Sequence, residues 1–304
     1  MTTPHAELFR ALGAMAEAPG PHQENLAGLL GLPRPSGEQW TEAFVVQLVP
    51  HASIYLGEEG MLGGEAADRV AGFWRALRLP VPTEADHVAA LLGLYAALAD
   101  AERTAPDDPQ RTMWRQARIA LLHEHLVSWL PAYTWAMSDS GPAPYARWAS
   151  LLHEALLAEA AELGVAEKLP AHLRQVAGVS ADGRLDEILT GLLTPARSGV
   201  VITRTHLAML ARGTGLGLRL GDRRRVLRAL IEQDPAATLA ALIQQAREWL
   251  ARHRANEAAF GPAARYWGDR AAATVAMLIA ARQNLPVETN EMEERHDLRA
   301  THAV

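Results

Sequence analysis

None of the 304 residues is cysteine, which excludes disulfide cross-links, thiolate zinc sites, cysteine-ligated iron–sulfur clusters and cysteine nucleophiles together. A reducing compartment agrees with that absence. Lysine is nearly missing as well. Lys168 is the only one and Leu169 follows it, so the Gly-Lys-Ser/Thr ending of a phosphate-binding P-loop does not occur. No apolar run approaches the ~20 residues that a membrane-spanning helix needs. Residues 1–10 carry Glu7 and Arg10 where a secretory leader would be basic and then apolar. These absences lead to the expectation of a soluble, cytoplasmic protein.

What is present is ordinary for a globular chain: 49% hydrophobic and 21% charged residues, enough to bury a sizeable core. The charge is unevenly spread. Residues 1–190 hold 13 basic and 24 acidic side chains, a balance of −11, whereas residues 191–304 hold 16 and 11, a balance of +5. An acidic body favours a cationic partner and disfavours nucleic acid there.

Helical periodicity dominates and strand signals are nearly absent. Helices are expected over 7–17, 39–49 and 66–77. Thr83-Glu84-Ala85-Asp86 reads as a helix start with Thr83 as N-cap, ahead of a stripe of Val88, Leu91, Leu92, Tyr95 and Leu98. Asp107 opens the next helix, whose stripe runs Met113, Ala117, Leu121, His125, Trp129. A further helix over 145–163 closes at Gly164. Near residue 190 the texture changes to a loop-like stretch and one short β-prone run, Val200-Val201-Ile202-Thr203. Thr203, Asp222 and Asp234 are N-cap candidates beyond it, and Pro262 opens a last helix. The chain therefore reads as all-α: a helical bundle over 1–190, a smaller helical module over 191–285, and a frayed polar tail over 286–304.

The chemical motifs are weak. Gly213-Thr214-Gly215-Leu216-Gly217 lacks the spacing of a dinucleotide fingerprint, and Gly213 serves better as a helix cap. His123-Glu124-His125 places its imidazoles roughly 200° apart on a helix, so the two cannot share a metal ion. Glu58-Glu59 falls in a loop, where carboxylates are solvated. The cluster Arg219, Arg223, Arg224, Arg225 and Arg228 could meet an anion, but without interleaved aromatics it reads as a solvated face. The aromatics Trp129, Tyr133, Trp135, Tyr145 and Trp148 pack a core by default; the other reading leaves an apolar groove open among them. Asp86-His87 is an ordinary helix start or, alternatively, an exposed polar handle beside Leu91. No catalytic constellation, metal site or cofactor site emerges, and an enzyme is not expected.

Several segments nonetheless occur in a telling order: residues 44–49, then Pro50-His51-Ala52-Ser53-Ile54-Tyr55-Leu56-Gly57, Arg69-Val70-Ala71-Gly72-Phe73-Trp74, Glu84-Ala85-Asp86-His87-Val88, and His125-Leu126-x-x-Trp129-Leu130-Pro131. Over about 40–190 this resembles the TorD/DmsD family of redox-enzyme maturation chaperones. The family's Glu-Pro-Asp-His-Leu signature stands here with Ala85 for Pro and Val88 for Leu. Leu121 occupies the place of a Phe in the later motif.

The resemblance implies an all-helical cytoplasmic chaperone for a molybdopterin-dependent oxidoreductase. It would bind the client's twin-arginine signal peptide, the apoenzyme, or both, and assist cofactor insertion before export or assembly. It also implies a client site at Asp86 and His87, with Glu84, Tyr55, Trp74, Leu91, His125 and Trp129 in the matched motifs. A homodimer is compatible with this reading. The alternative is a helical adaptor whose arginine-rich C-terminal module binds nucleic acid or another anionic partner.

Overall fold

The computed structural model describes residues 4–180 and 185–285; the tail expected over 286–304 lies outside them. The chain opens with α1 (Pro4–Met15), α2 (Pro21–Leu29) and α3 (Gly37–Thr41). Ser36 starts α3 with a reciprocal capping box: its Oγ accepts from the Gln39 amide at 3.2 Å, and the Gln39 side chain accepts from the Ser36 amide at 3.1 Å. A π-helical turn over Glu42–Gln47 prolongs α3. Two helices, α4 (Ala52–Leu56) and α5 (Gly64–Ala76), then flank a glycine-rich loop.

The bundle continues through α6 (Val88–Thr104), α7 (Asp108–Ala120) with a second π-helical turn over Leu121–Leu126, α8 (Leu130–Ser140) and α9 (Ala143–Leu163). A single 3₁₀ turn follows at Ala171–Leu173. The remaining helices are α10 (Leu185–Leu193), α11 (Pro195–Ser198), α12 (Arg204–Thr214), α13 (Arg223–Gln233), α14 (Pro235–Ala255) and α15 (Glu257–Gln283). The architecture is all-α, and among the described residues the one β feature is an isolated bridge between His51 and His87.

Short polar side chains begin the helices where orphan amides need acceptors. Asp107, Thr203, Asp222 and Asp234 accept from the amides of Gln110, His206, Arg225 and Ala237 at 2.8, 3.2, 2.8 and 2.9 Å. In the bundle α1 packs on α6 and α9, α8 packs on α9, and α14 lies along α15. Later helices join the same core. α15 meets α9, α11 meets α4, and the Trp267 indole donates to the Ser128 carbonyl at 2.8 Å. Buried side chains run without a break from Phe9 through Trp148 to Leu278.

Several local expectations are corrected. Thr83–Asp86 is a turn, and α6 begins only at Val88, with His87 as its N-cap. Val200, Val201 and Ile202 are buried but pair with no strand; their branched side chains fill the core instead. Met113 is exposed although it opens the expected apolar stripe. The helix expected from Pro262 starts at Glu257 and kinks at Gly261, whose φ of 54° suits a residue without Cβ. The cap expected of Gly213 falls to Gly215, at φ 71°.

Nor does a groove open among the aromatics. Trp129, Tyr133, Tyr145 and Trp148 have no accessible surface. Phe44 meets Tyr145 and Trp148 edge-on, at 4.8 and 5.6 Å between centroids.

Candidate functional site

The signature turn and α4 hold each other. The amide of Ala52 donates to the Asp86 carbonyl at 3.0 Å and that of Val88 to the Pro50 carbonyl at 2.9 Å, so His51 and His87 stand opposite one another. Their rings meet edge-on at 4.9 Å. Asp86 is not the exposed handle expected of a helix start, being only 6% exposed. Its Oδ2 accepts from the Ser53 amide at 3.0 Å, satisfying an orphan donor in the first turn of α4 from 33 residues away. Ser53 Oγ in turn accepts from the Gly63 amide at 3.2 Å. The carboxylate thus acts through Ser53 on the loop between α4 and α5.

Around that turn, His87 Nδ1 caps α6 by accepting from the Ala89 amide at 3.1 Å. Burial, reinforced by neighbouring His51, pushes the His87 imidazole below its ordinary pKa. Glu84 is exposed, with its carboxylate 3.6 Å from His51 Nε2.

The other expected site residues lie deeper. Tyr55 stacks on Trp129 at 5.2 Å between centroids, both in the core, with the Tyr55 hydroxyl donating to the Val49 carbonyl at 3.1 Å. Leu91 is fully buried. Trp74 is half-buried on α5, its indole N–H without a partner. Glu84, Asp86 and His87 therefore share one turn, while Tyr55, Leu91 and Trp129 are packing beneath it: aromatic and aliphatic surface of this size is stabilised by complete burial.

His125 reaches a different wall. Its Nδ1 and His172 Nε2 lie 3.0 Å apart, and Phe73 packs on its ring. Burial drives His125 down to about 3 and His172 down to about 4, the latter with help from the Arg69 charge, so both are neutral at pH 7. The 3₁₀ turn that presents His172 is clamped twice: Glu124 accepts from the Ala171 amide at 2.7 Å, and Arg69 donates to the Ala171 carbonyl at 2.9 Å. The neighbouring Glu124 and His125 thus serve two separate contacts instead of sharing one ion.

A cleft of about 350 Å³ opens beside these elements, lined by the 56–66 loop, Arg69, His172, Gln175 and Val176. Glu58 and Glu59 stand on the loop, with Met61 and Leu62 beside them at 65% and 59% exposure. The loop takes its path through Gly63 and Gly64, at φ 85° and 68°, where a side chain would be strained. The sequence reading passed over this cleft. Its signal was local: Gly57, Gly60, Gly63 and Gly64 surrounding two acids and two exposed apolar residues. His172 had none.

Beyond residue 190, much of the arginine cluster is engaged. Arg224 and Arg228 pair with Asp186, and Arg223 donates to the Ile202 carbonyl at 2.8 Å. Among the described residues one set could hold a metal by proximity, His5, Glu159 and Glu162. Arg118 Nη1 sits 3.0 Å from Glu159 and already supplies the positive charge there. No helix among the described residues is long and apolar enough to cross a membrane.

The model of a family described as "Nitrate reductase delta subunit" matches residues 37–134, from α3 into α8. Chaperone protein TorD of Photobacterium profundum is 30% identical over 89 residues, covering 28% of this chain. The chain spans 41% of that relative's length. No solved structure matches. The family segment includes the cleft loop and the Asp86 turn, and over that segment the chain is similar both to this family and to the TorD chaperone.

Proposed function

We propose that the protein is a non-enzymatic, cytoplasmic, client-specific chaperone for a molybdopterin-dependent oxidoreductase. It binds the client's twin-arginine signal peptide, its apo form, or both, and holds the client until the cofactor is inserted. The observation that carries this reading is the coincidence of the family segment with an acidic, apolar-lipped cleft whose loop is braced by the signature aspartate. A twin-arginine leader pairs two guanidiniums with an apolar stretch. Carboxylates steer and bind the first, and exposed Met61 and Leu62 take the second. Release is part of the task, so an affinity near ~1 μM, about −8 kcal/mol, suits it.

In this reading Asp86 positions the loop without touching the client, and Glu84 with His87 forms a polar spot at the surface. Tyr55, Leu91, Trp129 and His125 support the site from within. Removing the gene should leave the client precursor without molybdenum, as measured by metal analysis of the purified client; complementation with an Asp86→Ala/His87→Ala double variant should restore it poorly. Full metal loading without the protein would reject the proposal.

A further inference from the structure

A groove of about 480 Å³ lies between α12 and α14, beside the end of α8, and none of its lining residues falls within the 37–134 segment. Leu210, Ala241 and Trp249 line it with apolar surface, and Met209 stands at its lip with 54% exposure. Two polar groups there have no match. Trp40, Trp129, Trp148 and Trp267 each donate their indole N–H to a backbone carbonyl. Trp249 is only 2% exposed, yet its N–H makes no hydrogen bond to any described residue and is not enclosed as the Trp74 N–H is. The half-buried Gln245 amide, about one turn earlier on α14, makes none either. Gly213 is a third sign. A glycine within a helix is unfavourable, and a Cβ there would meet nothing within 4 Å, so packing does not require it. Its missing side chain leaves room along the groove.

We infer that this groove takes an extended, uncharged peptide segment, a backbone carbonyl received by the Trp249 indole and a backbone amide by Gln245, with apolar side chains against Leu210 and Met209. The assignment does not rest on the chaperone reading. Charge matching selects the uncharged ligand. Asp139 and Arg252 neutralise one another at the groove, and burial holds the His206 imidazole below its ordinary pKa, hence neutral at pH 7. Glu248 stands exposed on the rim and accepts from Gln244 at 2.9 Å. An ion on the apolar lining would lose hydration and meet no free counter-charge there. Size selects the extended form. The lining runs along α14 from Ala241 to Arg252, about 16 Å at ~1.5 Å per residue, which suits about five residues of extended chain. A helix is about 10 Å across with its side chains, so the same length would need well over twice the volume. Its backbone groups are also paired already, whereas those of an extended segment are free to meet an indole donor and a primary amide.

The test uses the full chain and the peptide acetyl-Gly-Thr-Leu-Thr-Val-Thr-Gly-amide, followed by titration calorimetry. Beside it run a version with N-methylated leucine and valine amides, a helical version with α-aminoisobutyrate in place of the threonines, and N-acetylleucine amide. The unmodified peptide should bind about tenfold more tightly than each of the three. Gln245→Ala should weaken it about fivefold, the worth of one or two hydrogen bonds. Gly213→Leu, which fills the groove, should weaken it about tenfold while leaving the thermal midpoint unchanged or higher, so that blocked binding is separated from damaged folding. Binding of the helical peptide or of N-acetylleucine amide as tight as that of the extended one would overturn the choice of ligand. Full affinity in both variants, or no binding to the unaltered chain, would overturn the site itself. Either result leaves the chaperone reading standing.

Discussion

Two polar assemblies in this molecule are built on opposite plans. Where α1, α6, α7 and α9 meet, Glu159 is 1% exposed and fully satisfied. It receives the Tyr95 hydroxyl, Arg118 Nη1 at 3.0 Å and His5 Nδ1 at 2.7 Å, while Arg118 also reaches Glu102 at 2.9 Å and Glu162 at 3.3 Å. At the cleft, two exposed carboxylates stand on the loop without partners among the described residues, and behind its wall the His172 Nδ1 is buried and unpaired. The first assembly spends its polar groups on holding helices together. The second is held in place by its neighbours while its own groups stay free. Buried charge is tolerated when paired, whereas exposed carboxylates such as Glu58 and Glu59 keep their charge in contact with solvent.

Substitutions can break that contrast. The largest effect is expected at Glu159. Changing it to Ala takes the acceptor from the Tyr95 hydroxyl and leaves Arg118 with Glu102 and Glu162 alone, which should cost about 3 kcal/mol, read from the urea midpoint; a loss under a tenth of that would deny the network its structural role.

Acid should come next. His125 and His172 are held below the ordinary value of 6.5, at about 3 and about 4. The unfolded chain therefore binds more protons than the native one between those limits, and stability falls as pH drops from about 6.5 toward 4. Buried His253, lowered to about 4, adds to the same limb. Urea midpoints across that range should decline less steeply in a His172→Phe variant; identical slopes would contradict the burial argument.

Asp86 occupies the middle ground between the two assemblies, buried yet serving the loop. Asp86→Ala leaves the Ser53 amide unsatisfied and should cost about 1–3 kcal/mol. Asp86→Asn, which keeps an acceptor, should recover most of both stability and client binding. Equal damage from the two would mean that the charge, and not the bond to Ser53, matters.

Trp267→Phe removes the donor to the Ser128 carbonyl and should lower stability by about 1 kcal/mol, measurable in the same denaturation. The smallest change belongs to Glu58→Gln/Glu59→Gln, expected within about ±0.5 kcal/mol of the unaltered chain. A larger loss would show that these carboxylates have structural work after all.

How far the sequence disclosed this arrangement depended on distance along the chain. Local rules were enough for the caps at Asp107, Thr203, Asp222 and Asp234, and for the helix closure at Gly164, φ 87°. Those contacts close within three or four residues. The turn at Thr83–Asp86 was misread because Asp86 is claimed by Ser53, far upstream, which delays α6 to Val88. Val200–Ile202 carries a strand-like pattern because branched residues also fill a core well. The pairing of His125 with His172 spans 47 residues and left no local trace. Of the site, the signature turn was legible by resemblance. The cleft wall supplied by His172 lies beyond the family segment and emerges only from packing.

The indole of Trp267 reaches back 139 residues to the carbonyl of Ser128. During synthesis the ribosome completes α8 long before α15 exists, so the nascent bundle waits with that carbonyl exposed and part of its interior uncovered. Among the described residues the last long helix is therefore the one that finishes the interior. A chain halted before α15 would display the sort of greasy surface that folding helpers recognise.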